Sequence, residues 1–285
     1  GTNWAQRVPQ IRQRGAGATT YAQTYPAITW MIDSVLLPAG DLHSGFWAPD
    51  RAPGRVDSPR DTLNRYLAQG QTLGVGSREA AYFWMPTFSG RNEAGRADSI
   101  TTVIRTLDQQ NPCGWILDLR FNPGGNWPAM MVGMRALYGD APASQTQPGF
   151  GGFVDATGAR ALVYVDGLTS GVYDPASNRR FPYVTGTINY RVQRPNAPIA
   201  ILQGRSTASA GELLILALRG TDIPTRSFGD STYGVTTVPY GIYLEPDSAF
   251  LNITGAIMFD RTGRRYGAEI APDVFVSGPR ARDLQ

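Results

Sequence analysis

The residues of this sequence able to do chemistry are few, and Ser209 comes first among them. It stands in Thr207-Ala208-Ser209-Ala210-Gly211, one residue away from the Gly-x-Ser-x-Gly elbow that presents a nucleophilic serine. An apolar run, Pro198-Ile199-Ala200-Ile201-Leu202, precedes it, and the leucine-rich stretch Leu213 to Leu218 follows, closed by Gly220. A strand, a tight turn of small residues and a helix would place the side chain at a helix N-terminus. There, free N–H groups and the positive end of the dipole favour developing negative charge. The same letters, Ser209-x-x-Glu212, also spell a capping box. The serine alone does not decide between a nucleophile and a cap.

The choice of base is narrow. All 26 basic residues are arginine, which stays protonated, and no lysine occurs anywhere. His43 is the only histidine. A mechanism that needs a neutral nitrogen base must use His43 or the chain's α-amino group; Ser-Lys catalysis, lysine Schiff bases and multi-histidine metal sites are excluded by counting. The single cysteine, Cys113, rules out an internal disulfide and a cysteine zinc cluster, and reads as a small core residue. Neither a metal nor a cofactor is expected. A further candidate is Gly124-Gly125, which follows the apolar run Trp115 to Arg120. Glycines there would let backbone N–H groups point into a cleft, as an oxyanion hole requires, or form an ordinary strand-to-helix turn. Asp118 and Arg120 flank this strand, placed to pair with each other or with its neighbours.

The elements that must position these residues read as an α/β chain. Helical spacing covers Thr19 to Leu37, with Pro26 marking a start or break, and Ser99 to Gln109. The methionine-rich Pro128 to Leu137 reads as a core helix. His43 falls in a glycine-bounded loop, Pro38 to Trp47. Strands are expected at Ala80 to Phe88, Trp115 to Arg120, Leu162 to Val165 and Thr187 to Tyr190, with a hairpin-like run through Tyr243 and Phe250. The expected division is an N-terminal helical segment over 1–47 and a mobile surface segment over 48–79. The core occupies 80–140 and 195–285, with a small β-rich cap over 141–194. With 42% hydrophobic residues and a net charge of +3, the chain has an ordinary globular composition; no basic run suggests nucleic acid and no apolar run spans a membrane. No signal peptide is visible at Gly1-Thr2-Asn3, which suits a trimmed or mature form.

Four pieces in order resemble the tail-specific (C-terminal-processing) serine peptidase family. They are Trp84-Met85-Pro86-Thr87-Phe88; Asp118-Leu119-Arg120-x-Asn122-x-Gly124-Gly125; Ser206-Thr207-Ala208-Ser209-Ala210-Gly211-Glu212; and Gly229-Asp230-Ser231-Thr232-Tyr233-Gly234 followed by Ile270-Ala271-Pro272-Asp273. The resemblance implies a crotonase/Clp-like sheet core with flanking helices, Ser209 as nucleophile, and oxyanion donors at Ala210 and at Gly124 or Gly125. Many members carry a lysine after the aromatic-glycine pair; here that position is Val235, which leaves the branch with an upstream histidine, the tricorn-like and nisin-resistance-like members, and implies His43 as the base. The acid that would orient His43 stays open among Glu212, Asp230 and Glu269, or the site is a dyad. The implied activity is hydrolysis of a peptide or unfolded C-terminus through an acyl-enzyme, a lanthipeptide being one candidate substrate. Export is implied too: extracellular, periplasmic or attached to the cell envelope. A peptidase fold that binds peptide without turnover, and an esterase or other acyl hydrolase with the same dyad, are the alternatives.

Overall fold

The computed structural model describes residues 3–52 and 67–276. In chain order the first elements are α1 (Trp4–Arg14), α2 (Tyr25–Met31), β1 (Gly45–Trp47), β2 (Gln69–Val75), β3 (Arg78–Trp84) and α3 (Glu93–Asp108). Then come β4 (Trp115–Asp118), α4 (Trp127–Tyr138), β5 (Gly152–Asp155), β6 (Arg160–Asp166), β7 (Thr169–Asp174) and β8 (Arg179–Thr185). The last are β9 (Ile199–Gln203), α5 (Ala210–Leu218), β10 (Thr225–Gly229), β11 (Thr237–Leu244), β12 (Ala249–Phe259) and β13 (Val274–Phe275). They divide into two compact units, one of residues 1–59 with 237–256, the other of 60–236 with 257–285. No helix of the described residues is long and apolar enough to cross a membrane.

In the first unit the helical stretch expected from Thr19 is broken into short pieces. A 3-10 turn at Tyr21–Thr24 leads into α2, whose first turn holds Pro26, and a π-type turn at Ile32–Leu36 follows. Pro suits a first helical turn because the N–H it lacks has no intrahelical partner there. A last 3-10 turn at Leu37–Ala39 ends on Gly40 with φ +88°, and the chain then enters the His43 loop. Strand β1 pairs antiparallel with β12, Phe46 opposite Leu251. Aromatic rings stitch the unit: Tyr25 on Phe46 at 5.0 Å and Trp47 on Phe250 at 5.7 Å between centroids, with Tyr25 Oη donating to the Asp247 carboxylate. Strand β11 and the larger part of β12, residues 237–256, therefore fall in the first unit, while the end of β12 stays in the second.

The second unit is built on a six-stranded sheet in the order β13-β10-β9-β4-β3-β2, parallel throughout except for β2. Trp115 of β4 aligns with Ala81 of β3 on one side and with Ile199 of β9 on the other. A parallel sheet is covered on both faces, and Phe83, Leu117 and Ile201 are buried accordingly. All nine residues of α5 are buried, as a helix apolar all round must be. The methionines of α4 are core, Met130, Met131 and Met134 having no exposure. Residues 48–79, expected as mobile surface, contain β2 and the start of β3; residues 53–66 of that segment lie outside the described residues. Strands β5 to β8 form an antiparallel meander that packs on the helices, with Val184 against Ala97 of α3 and Val132 of α4. The strand expected at Thr187 to Tyr190 is absent. Asp98 takes that segment's donors instead, accepting from Thr187 N at 2.7 Å, Thr187 Oγ1 at 2.6 Å and Ile188 N at 3.1 Å.

Three adjacent parallel strands, β4, β9 and β10, send out loops from their C-terminal ends: 119–126, 204–209 and 230–236. In open α/β sheets this is where sites are built.

Candidate active site

Ser209 ends the loop after β9 and precedes the first residue of α5. Its backbone lies at φ +51°, ψ −115°, in a region that L-residues other than glycine rarely occupy. The surroundings hold it there. Thr207 Oγ1 donates to Leu119 O at 2.8 Å, Ala208 N to Asn122 O at 3.0 Å and Gly211 N to Ala208 O at 2.8 Å. Of the expected capping box, the Glu212 half is a hydrogen bond, from Ser209 N at 2.8 Å, while the Ser209 hydroxyl makes no cap hydrogen bond. Cap and elbow thus coexist in one sequence.

Glu212 has no solvent exposure. Its carboxylate accepts from Ser209 N at 2.8 Å, Thr232 Oγ1 at 2.5 Å, Gly234 N at 3.0 Å and Val235 N at 3.0 Å. Burial pushes its pKa up, and the hydrogen bonds from Thr232, Ser209, Gly234 and Val235 pull against that shift. Glu212 fastens the loop after β10 to the head of α5. These four hydrogen bonds all lie on that frame.

The glycine pair sits on the other side of Ser209. Gly124 and Gly125 have φ of +105° and +115°, and neither has room for a side chain. A Cβ on Gly124 would lie 2.8 Å from Ser209 Cβ and 3.0 Å from Ala210 N; one on Gly125 would lie 1.9 Å from Phe88 O. The two are not equivalent donors. Gly124 N–H is taken by Asn122 Oδ1 at 2.9 Å, whereas Gly125 runs alongside Phe88 in a parallel bridge. Asn122, quoted in the motif but given no role from sequence, is fully buried. Its Nδ2 donates to Met85 O at 3.1 Å and its carbonyl accepts from Ala208 N at 3.0 Å. It clamps the glycine turn to the nucleophile loop.

Asp230 and Glu269 lie further out. Both meet Arg205, at 3.2 Å and 3.6 Å, and all three side chains are at least half exposed. Asp118 and Arg120 pair as expected, at 2.7 Å, with Tyr82 Oη donating to the same carboxylate at 2.6 Å. Burial would raise Asp118, but the Arg120 and Tyr82 hydrogen bonds outweigh it and hold the carboxyl below its ordinary value. Cys113 is half-buried, not a core residue.

His43 stands in the first unit. Asp41 shapes its loop: Oδ1 accepts from His43 N at 3.0 Å, Ser44 N at 2.9 Å and Thr254 Oγ1 at 2.8 Å, and Oδ2 from Ser44 Oγ at 2.6 Å. Asn252 Nδ2 donates to His43 O at 3.1 Å. The ring's Nδ1 lies 2.9 Å from Thr237 Oγ1, a neighbour 194 positions away that no local pattern announces. Burial holds the imidazole below its ordinary value, against the Asp41 charge and a Thr237 main-chain hydrogen bond that favour the protonated form. It is therefore neutral, and able to accept a proton, at pH 7.

Comparison with known proteins places the chain in a family. The sequence profile of peptidase family S41 matches residues 79–276. A nisin-resistance protein of Lactococcus lactis subsp. lactis is 25% identical over 99% of this chain and 79% of its own length. Among solved structures, a lipoprotein from Streptococcus agalactiae superposes over 97% of this chain and 85% of that one with a TM-score of 0.63 at 23% identity. A photosystem II D1 C-terminal processing protease covers 74% of this chain and 48% of that one, with a TM-score of 0.51 at 21% identity.

Proposed function

The chain belongs to peptidase family S41 and is a serine peptidase; we propose that Ser209 is its nucleophile and His43 its general base. The observation that carries this reading is the strained Ser209 at the N-terminus of a buried helix, with the Gly124 backbone packed against its Cβ. A non-glycine residue kept at φ +51° costs roughly 1–3 kcal/mol, and such strain concentrates at functional sites.

The reaction is acyl transfer. Ser209 Oγ attacks a peptide carbonyl carbon as its proton passes to His43 Nε2, and the resulting oxyanion is met by the N–H groups of Ala210 and Gly125. The tetrahedral species collapses by breaking the C–N bond, His43 returning the proton to the leaving amine. Water, deprotonated by the same imidazole, then releases the acyl group as a carboxylic acid. One oxyanion donor typically contributes about 3 kcal/mol to lowering the barrier.

The substrate is a peptide or protein. Similarity to a nisin-resistance protein supports a lanthipeptide, and similarity to a C-terminal processing protease supports an unfolded C-terminus. Similarity to a streptococcal lipoprotein and to a nisin-resistance protein supports a place at the cell envelope. Hydrolysis of nisin and of an unstructured peptide mixture, followed by mass spectrometry, tests the pair. Ser209→Ala and His43→Ala are each expected to lower kcat/KM by roughly 10³-fold or more. Turnover within tenfold of wild type in either variant contradicts the pair. Turnover confined to ester substrates makes the chain an acyl hydrolase of another kind, and binding without turnover makes it a peptide binder.

A further inference from the structure

A neutral imidazole has one N–H and one lone pair. For Nε2 to take a proton from serine, the ring's own proton must sit on Nδ1, and that N–H needs an acceptor that also fixes the ring's orientation. The carboxylates that sequence offered for this task are engaged elsewhere. Glu212 is saturated by four donors of its own frame, and Asp230 and Glu269 share Arg205. Asp41, the one charged group acting on the ring among the described residues, has its hydrogen bonds with the His43 and Ser44 main chain and with the Ser44 and Thr254 hydroxyls. What faces Nδ1 is a neutral hydroxyl, Thr237 Oγ1, at 2.9 Å, and the Thr237 main chain hydrogen-bonds the ring as well.

We propose that Thr237 is the positioning residue of the proton-transfer machinery: its hydroxyl accepts the Nδ1–H of His43, fixes the ring and leaves the Nε2 lone pair as the base. The proposal rests on the reading that His43 serves Ser209. The loop is already anchored on its main chain, by Asp41 at the His43 N–H and by Asn252 at the His43 carbonyl. The ring is the remaining freedom, and Thr237, at the first residue of β11, removes it. A hydroxyl does for orientation and tautomer what a triad carboxylate does, but it brings no charge to stabilise the imidazolium. The result is a base that is placed well and stays weakly basic.

Because His43 is the only histidine of the chain, ¹⁵N NMR of histidine-labelled protein reads its tautomer without assignment. At pH 8 the wild-type ring is expected in the Nδ1–H form. Thr237→Val should shift it toward Nε2–H and lower kcat by roughly tenfold to a hundredfold with KM within twofold, and Thr237→Ser should restore both. An Nε2–H tautomer in the wild type overturns the proposal, and so does a Thr237→Val protein with unchanged tautomer and unchanged kcat. Should the valine variant fail to fold, the wild-type spectrum and the serine variant decide. If Ser209→Ala and His43→Ala retain activity, the dyad reading fails; if they are inactive while Thr237→Val is unaffected, only the role of Thr237 fails.

Discussion

Ser209 and Glu212 are three residues apart, and their replacements separate chemistry from architecture. Glu212→Ala leaves four donors without their acceptor, two of them buried, and opens a cavity under the nucleophile loop. A loss of about 3–5 kcal/mol is expected in denaturant titrations. Ser209 behaves oppositely. Its φ of +51° suits glycine, so Ser209→Gly should be about 1 kcal/mol more stable than Ser209→Ala, while both are inactive. His43 sets the pH response. Burial lowers its pKa below the ordinary 6.5, so the neutral, proton-accepting form persists down to that lower value and is lost as the pH falls through it. The acidic limb of kcat/KM should therefore have its midpoint below 6.5, and a midpoint clearly above that value would contradict His43 as a buried base.

At the scale of elements, three neighbouring strand ends carry the nucleophile, the glycine turn and the loop that Glu212 fastens. Asn122 joins the first two. Asn122→Ala frees Gly124 N–H and removes the clamp on the Met85 carbonyl. A stability loss of about 2 kcal/mol and a larger fractional loss in kcat than in KM are expected. The strand, turn and helix around Ser209 were legible in sequence because apolar runs bounded by small residues have few other folds. The glycine pair was legible because two glycines directly after an apolar strand free the backbone for a tight turn. Strand β2 was not. Gln69-Gly70-Gln71-Thr72-Leu73-Gly74-Val75 is the outer strand of its sheet, and with two glycines and one half-wet face it carries little β signal. Residues 187–190 misled in the other direction: their β-branched and aromatic side chains suggest a ladder, but a carboxylate on α3 meets their N–H groups first.

At the scale of the whole molecule, each compact unit is assembled from separate stretches of chain. Reading in order kept the hairpin of β11 and β12 with the core, since nothing in 237–256 records that Phe250 packs on Trp47 or that Thr254 bonds Asp41. The partner of the His43 ring was invisible for the same reason. Composition, in contrast, constrains the chemistry of the entire chain. With no lysine present, reductive methylation of amines reaches only an α-amino group, and kcat/KM should survive it unchanged; inactivation would move the base away from His43. The most direct measurement is to map the adduct of a fluorophosphonate probe by mass spectrometry after cleavage at arginine. The adduct is expected on the peptide spanning 206–219, at Ser209, in the wild type, and it should vanish in both Ser209→Ala and His43→Ala. An adduct on another residue, or one that forms undiminished in the folded His43→Ala protein, would contradict a serine activated by the chain's single imidazole.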